Sequence, residues 1–246
     1  MTTAAALAMV AARAPKPLLV GLDIDGTLAT IVEHPSRAEL ADGAADALAG
    51  LVARPDVVVV VVSGRSYADV AHQFGFPSGV AIVGSHGLED RAGAVMLDRA
   101  EARRRSGLRS ILEPIVESTP GAWLEDKPAG VAFHHRESDP VMADVSVQRI
   151  HRLMSKRPGV FVLSGHDVIE AMVRRPSKAN ALVQVRSRVG AATILYAGDD
   201  RTDEEVFVAL GTGDISVKVG LGATAAHHRL AGPSDVVEFL VQLAAS

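Results

Sequence analysis

Six consecutive valines, Val57–Val62, constrain the fold of this chain more than any other segment. β-Branched side chains favour a strand, and the lack of polar alternation predicts that both faces of this strand are buried. Four further short apolar runs have the same character: Leu18–Leu22, 79–83, 193–197 and Ile215–Val219. The stretches between them have helical patterns, at residues 39–54, 66–74 and 177–189. Strands that alternate with helices predict an α/β fold with a doubly wound parallel sheet.

The middle of the chain has a different pattern. Two helical stretches, 98–118 and 138–156, are each followed by two strand-like runs, at 122–127 and 131–136, then at 159–163 and 168–173. We expect this α-β-β-α-β-β segment, residues 98–173, to be an inserted α+β cap domain. Residues 1–97 and 174–246 then form the core domain. A chain of 246 residues is long enough for a core with an insert of this size.

Composition excludes several classes of protein and site. The chain has no cysteine, which excludes thiol catalysis, disulfide scaffolds and thiolate metal sites. Its net charge of −4 gives no general support for nucleic-acid binding. The apolar run at residues 4–12 is far shorter than the roughly 18 residues of a membrane span, and no basic residue precedes it as in a signal peptide. We therefore expect a cytoplasmic protein with no nucleic-acid or membrane partner and a loosely ordered N-terminal tail.

Acidic and polar residues follow the predicted parallel strands. Asp23 and Asp25 come after the first strand, and Asp199 and Asp203 come after the fourth. Ser63 and Arg65 follow the second strand, His86 follows the third, and Lys178 begins the helix before the fourth. Because ligands of such sheets bind beyond the carboxyl ends of the strands, we expect these side chains to share one edge. Several carboxylate oxygens without a thiolate suit Mg²⁺.

Hydrolysis of a phosphate monoester would use all of these groups. Asp23 would attack phosphorus and form an aspartyl-phosphate intermediate. Asp25 would protonate the departing oxygen and later deprotonate the hydrolytic water. Ser63 and Lys178 would hold the phosphoryl oxygens, together with backbone N–H groups.

The motifs at residues 23–28, Ser63, Lys178 and residues 198–203 resemble those of the haloacid-dehalogenase-like (HAD-like) phosphohydrolases. Over residues 18–243 the chain is most similar to the trehalose-6-phosphate phosphatase family within that group. Four segments carry this finer resemblance: residues 84–89, residues 125–127 with His134 and Arg136 downstream, residues 198–204, and residues 217–220 with Thr224 and Ala225 following. The resemblance implies a Rossmann-type HAD-like core, a cap that recognises the substrate, and hydrolysis of trehalose 6-phosphate.

The resemblance also implies roles for individual residues. Asp23, the backbone carbonyl of Asp25, and Asp199 match the magnesium ligands of the family, with Asp203 in support. His86, Glu125, Lys127 and Glu170 match positions that face the disaccharide in the family. Arg65 and His166 complete the residues that we expect to bind the substrate. A functional link to a trehalose-phosphate synthase is implied as well.

Two positions in the cap depart from the family pattern and keep a second substrate open. His166 stands where lysine is usual, and Met172 stands where arginine or lysine is usual. The alternatives are therefore a phosphatase for another sugar phosphate, such as another disaccharide phosphate, or a catalytically idle module that binds sugar phosphates. A mutase is disfavoured because the segment between Asp25 and Ser63 is too short to hold a cap. We expect Trp123 to be a core residue of the cap rather than a sugar-stacking platform.

Overall fold

The computed structural model describes residues 2–32, 34–165 and 167–246. Its helices are α1 (Ala4–Arg13), α2 (Ala44–Val52), α3 (Tyr67–Gln73), α4 (Arg99–Glu117), α5 (Pro140–Met154), α6 (Lys178–Val189), α7 (Arg201–Ala209) and α8 (Pro233–Ala244). Its strands are β1 (Leu18–Leu22), β2 (Val57–Val62), β3 (Ala81–Val83), β4 (Glu89–Asp90), β5 (Gly93–Ala94), β6 (Trp123–Lys127), β7 (Gly130–His134), β8 (Phe161–Ser164), β9 (Val168–Met172), β10 (Thr193–Gly198), β11 (Ile215–Val219) and β12 (His228–Leu230).

The core unit is built on a parallel sheet with the strand order β12-β11-β10-β1-β2-β3. In this sheet Leu22 of β1 lies opposite Val61 of β2 on one side and Ala197 of β10 on the other. The chain runs outward from β1 toward β3, and then resumes at β10 on the opposite side. The strand order therefore reverses between β1 and β10, which is the switch point where such sheets bind ligands.

Side chains of alternate residues in each strand enter two separate apolar cores. Val59 and Val61 join the core formed with α1, α2 and α8, whereas Val60 and Val62 join the core formed with α6 and α7. Helices thus cover both faces of the sheet, and the doubly wound α/β fold predicted from the sequence is confirmed.

The N-terminal segment forms a helix, so the expected loosely ordered tail is wrong. Thr3 caps α1 by accepting a hydrogen bond from the backbone N–H of Ala6. Leu7 and Ala11 are fully buried, and α1 packs against α8. The apolar run is therefore part of the core. Within the described ranges, no helix has the length and apolar character that crossing a membrane requires.

The second compact unit covers residues 93–176, and residues 1–92 with 177–246 make up the first. The second unit contains an antiparallel sheet in the order β6-β7-β9-β8, together with α4 and α5. We call this unit the insert. Its C-terminal limit lies beyond residue 173, the limit expected from the sequence, because Arg174 forms an ion pair with Glu101 in the first turn of α4.

The two faces of the insert sheet differ in polarity. Val131, Phe133 and Ile169 are buried on the face that the helices cover, where α4 contacts β6 and β7 and α5 contacts β8. The opposite face carries side chains at alternate positions: Trp123, Glu125, Lys127, His134, Glu170 and Met172. We call this second surface the polar face of the insert.

Candidate active site

Three carboxylates come together at the switch point of the core sheet. Asp23 directly follows β1, Asp199 directly follows β10, and Asp203 lies in the first turn of α7. One carboxylate oxygen from each lies within 4.8 Å of the others. Gly26 permits the close approach of the β1 loop, because its φ is +80° and a Cβ there would lie 2.1 Å from Oδ2 of Asp199.

Lys178 bridges two of these carboxylates. It is the first residue of α6, whose N-terminus is capped by the hydroxyl of Ser177. Its buried Nζ donates hydrogen bonds to Oδ1 of Asp23 at 2.7 Å and to Oδ1 of Asp203 at 2.8 Å. One cation thereby offsets part of the repulsion between two buried anions.

Asp203 is held from three further directions. The hydroxyl of Tyr196 donates a 2.6 Å hydrogen bond to the same Oδ1 atom that Lys178 contacts. Oδ2 accepts from the backbone N–H of Asp200, while Asp200 caps α7 by accepting from the N–H of Asp203. The conformation of Asp203 is therefore fixed by the protein itself.

The electrostatics of this cluster follow from burial and crowding. Burial raises the pKa of Asp23 well above its usual value against the influence of Lys178, and the charges of Asp203, Asp200 and Asp199 raise it further. Burial and the neighbouring carboxylates raise the pKa of Asp199 to about 7. Burial alone would lower the pKa of Lys178, but Asp203 and Asp23 outweigh it and raise that pKa. The amine is accordingly a fixed positive charge.

The donor set fits a hard divalent cation. Asp23, Asp199 and Asp203 offer carboxylate oxygens, which are the ligands that Mg²⁺ prefers. Burial, and after it the neighbouring carboxylates, raise the pKa values of these three groups, and a bound cation would favour their ionised forms. Lys218 adds a positive group nearby by donating to the backbone carbonyl of Asp199.

The carboxylate of Asp25 has a different partner from the three carboxylates of this cluster. Its carboxylate forms a bidentate ion pair with Arg65, with both N···O distances at 2.7 Å. Arg65 also donates to Gln73 and lies over the ring of Phe74, with its Cζ 5.2 Å from the ring centroid. The structure thus places Arg65, expected to bind substrate, against the carboxylate of Asp25.

Ser63 and His86 are joined through a strained loop. Ser63 is buried at the end of β2, and its Oγ accepts from the backbone N–H of Arg65. The backbone N–H of His86 donates to the carbonyl of Ser63, and the carbonyl of His86 accepts from the N–H of Ser177. His86 has a φ of +53°, and its ring lies so close to Gly64 that a Cβ there would be 2.6 Å away. This loop therefore links the β2 end to the start of α6.

A second set of expected site residues meets on the polar face of the insert. Glu125 accepts from Nζ of Lys127 at 2.7 Å and lies 2.8 Å from Nε2 of His134. Burial would raise the pKa of Glu125, but the hydrogen bond from His134 and the charge of Lys127 lower it overall. Glu170 is buried on β9, which β7 separates from β6, and that burial raises the pKa of Glu170.

Trp123 is not a core residue, so that expectation is wrong. Its side chain is 50% exposed and stacks on His134, with 3.9 Å between ring centroids. An exposed position at the start of an edge strand places the indole on the polar face, away from the helices. His166, another expected sugar contact, lies outside the described residues.

Sequence reasoning missed Tyr196 as a member of the core site. It lies in an apolar strand and contributes to the aliphatic pattern. The available signal was its hydroxyl, because a buried tyrosine usually has a hydrogen-bond partner.

The chain is similar to known proteins over most of its length. The family model described as trehalose-phosphatase matches residues 21–233. The trehalose-6-phosphate phosphatase of Escherichia coli is 34% identical over 230 residues, which cover 89% of this chain and 83% of that protein. A Mycobacterium tuberculosis protein named as an uncharacterized glycosyl hydrolase is 35% identical over 92% of this chain, and the chain spans 18% of its length. The solved structure of Aspergillus fumigatus trehalose-6-phosphate phosphatase matches with a TM-score of 0.69 and 26% identity, covering 99% of this chain and 98% of that one.

Proposed function

The chain belongs to the trehalose-phosphatase family, whose members are phosphoric monoester hydrolases, and we propose that its substrate is trehalose 6-phosphate. The observation that carries the proposed chemistry is the bridge from Lys178 to Asp23 and Asp203 at the switch point of the sheet. It holds a carboxylate and a fixed positive charge side by side, as transfer of a dianionic phosphoryl group requires.

Asp23 is the nucleophile in this proposal. Its carboxylate attacks phosphorus and forms an aspartyl-phosphate, while the sugar oxygen departs. Lys178 favours the ionised form of Asp23 and, with Ser63, binds the phosphoryl oxygens. Mg²⁺, when held by Asp23, Asp199 and the backbone of Asp25 with support from Asp203, supplies positive charge that stabilises the phosphoryl oxygens.

Asp25 is the general acid and base. It is the more exposed of the two aspartates that follow β1, with 39% of its side chain accessible, so protons can reach it. It protonates the departing sugar oxygen and then takes a proton from the water that hydrolyses the aspartyl-phosphate. Arg65 orients its carboxylate through the bidentate contact.

The insert supplies recognition of the sugar in this proposal. Glu125, Lys127 and Glu170 present charged donors and acceptors in fixed geometry, which suits hydroxyl groups. His86 and His166 complete the proposed sugar contacts. An enzyme that joins a sugar to a sugar phosphate, a trehalose-phosphate synthase, would supply the substrate.

A panel of substrates tests the identity of the sugar. Trehalose 6-phosphate, sucrose 6-phosphate and glucose 6-phosphate are compared by phosphate release with Mg²⁺ present. We expect the highest kcat/KM for trehalose 6-phosphate. A higher value for another sugar phosphate would favour the alternative that Met172 raises, since this apolar residue is buried on the polar face where the family has a cation.

Substitution of the nucleophile tests the reaction. Asp23→Asn should abolish phosphate release, because an amide neither attacks phosphorus nor leaves a hydrolysable acyl phosphate. Chelation of divalent cations should also abolish it. Asp144→Asn, on the exposed side of α5, is the matched control and should retain full activity. Phosphate release by Asp23→Asn at the wild-type rate would exclude the aspartyl-phosphate mechanism.

A further inference from the structure

The only tryptophan of the chain lies half-exposed on the polar face of the insert. Its indole is nearly parallel to the imidazole of His134, with an interplanar angle of 7°. His134 in turn contacts Oε2 of Glu125, and Oε1 of Glu125 contacts Lys127. Trp123 thus contacts His134, and His134 contacts the ion pair of Glu125 and Lys127.

This arrangement leaves a defined apolar surface open. His134 covers one face of the indole, so the exposed half of the side chain consists of the opposite face and the ring edge. Large aromatic side chains contribute most to stability when they are buried. A half-exposed tryptophan that is held rigidly beside charged groups is typical of a binding site.

The surrounding chemistry indicates which ligand fits. A pyranose has a C–H surface that can pack on the electron-rich face of an aromatic ring, and hydroxyl groups around its edge. Glu125 and Lys127 offer an acceptor and a donor to those hydroxyls at the same sheet face. This surface has two carboxyl groups, those of Glu125 and Glu170, and only one ammonium group, that of Lys127. Because carboxylates repel a phosphate, the surface favours a neutral ring.

We propose that Trp123 is the stacking platform for a neutral pyranose ring, beside the Glu125 and Lys127 that the proposed function already assigns to the sugar, and that His134 is a positioning residue for Trp123 and Glu125. The inference rests on the proposed function, because the ring in question is the one in a disaccharide phosphate that carries no phosphate. Trp123 then determines specificity for a disaccharide phosphate over a monosaccharide phosphate.

Tryptophan fluorescence tests this subsite without turnover. Trehalose, which carries no phosphate, is titrated into the full-length protein with Mg²⁺ present. Because Trp123 is the only tryptophan, any change in indole emission reports its surroundings directly. We expect a saturable change in emission with trehalose. His134→Phe keeps an aromatic ring beneath the indole but loses the contact with Glu125, so trehalose should bind more weakly to it.

Kinetics of variants give the second measurement. Trp123→Ala should raise KM for trehalose 6-phosphate roughly tenfold with little change in kcat, the effect of losing one stacked ring. Its kinetics with glucose 6-phosphate should match those of wild type, and Trp123→Tyr should restore most of the lost affinity. Met142→Ala is the control, because it removes an exposed apolar side chain from α5 on the other side of the insert sheet.

The outcomes separate this inference from the proposed function. If wild type hydrolyses trehalose 6-phosphate but trehalose leaves the emission unchanged and Trp123→Ala has a normal KM, the subsite is wrong and the function stands. If trehalose changes the emission but trehalose 6-phosphate releases no phosphate, the subsite stands and the proposed function is wrong.

Discussion

The hydroxyl of Tyr196 donates to the carboxylate oxygen of Asp203 that also accepts from Lys178. Neither oxygen of Asp203 lacks a donor, because the backbone N–H of Asp200 contacts the other one. A neutral side chain thereby helps to support a buried anion, and the position of Lys178 depends on that anion.

Loss of this hydroxyl should lower stability. A hydrogen bond to a charged group contributes about 1.5–3 kcal/mol, so we expect Tyr196→Phe to reduce the free energy of unfolding by roughly 2 kcal/mol. Urea denaturation followed by circular dichroism measures the change. The control is Tyr67→Phe, at the only other tyrosine of the chain, which should change stability by less than about 0.5 kcal/mol. Equal effects of the two substitutions would contradict a special role for Tyr196.

Asp199 makes the stability of the metal-free protein depend on pH. Burial, Asp203 and Asp200 raise its pKa to about 7, above that of the unfolded chain. The folded state therefore keeps a proton that the unfolded state loses above about pH 4, and stability falls as the pH rises from there through about 7. Burial also raises the pKa values of Asp23 and Asp203, which act in the same direction.

Thermal unfolding in EDTA between about pH 5 and pH 8 measures this dependence. We expect the melting temperature of wild type to fall across this range, and that of Asp199→Asn to fall less. Identical profiles for both proteins would show that Asp199 does not hold the proton. Added Mg²⁺ should flatten the wild-type profile, because a bound cation favours the ionised carboxylates.

At the scale of the element, α1 is a structural part of the core unit. Leu7→Ala should reduce the free energy of unfolding by about 2–4 kcal/mol, because Leu7 is fully buried and its loss leaves a cavity. Met9→Ala is the control on the same helix, since Met9 is 57% exposed. Denaturant midpoints of the two variants provide the comparison. A small effect at Leu7 would mean that α1 separates from α8 before the core unfolds.

The elements that the sequence predicts best are those with an unbroken apolar signal. β1, β2 and β11 begin and end where the aliphatic runs do, because burial on both faces leaves no polar position. The sequence does not predict β12, since His228 and Arg229 give this short edge strand a polar character. Tyr196 and Trp123 are missed for another reason: their surroundings depend on Asp203 and His134, which the strand pattern does not bring to them.

Proximity of acidic groups at the strand ends is the part of the site that the sequence anticipates. Asp23 and Asp199 follow neighbouring parallel strands, and the structure brings their carboxylate oxygens within 4.8 Å. Their roles as metal ligands, and the roles of the sugar-binding residues, stay predictions. The pairing of Arg65 with Asp25 could not be anticipated, because it depends on side-chain rotamers.

For the whole molecule, the division into two units predicts independent folding of the insert. Its own sheet and helices bury Leu112, Phe133 and Ile150. We expect a fragment of residues 93–176 to show a cooperative thermal transition by circular dichroism, although a domain of this size is only marginally stable. Leu112→Ala should remove that transition, whereas Met142→Ala should leave it. A wild-type fragment without a transition would show that the insert depends on the rest of the chain.

The position of β1 between β2 and β10 has a consequence for the order of folding. Leu18 pairs with Val57, which follows closely, but also with Thr193, which lies beyond the whole insert. During synthesis, the insert leaves the ribosome before β10 has been made. Until β10 follows, β1 can pair only with β2. Closing so large a loop is entropically costly and slows folding. Assembly of the acidic cluster needs both Asp23 and Asp199, so it is a late event that waits for β10 to pair with β1.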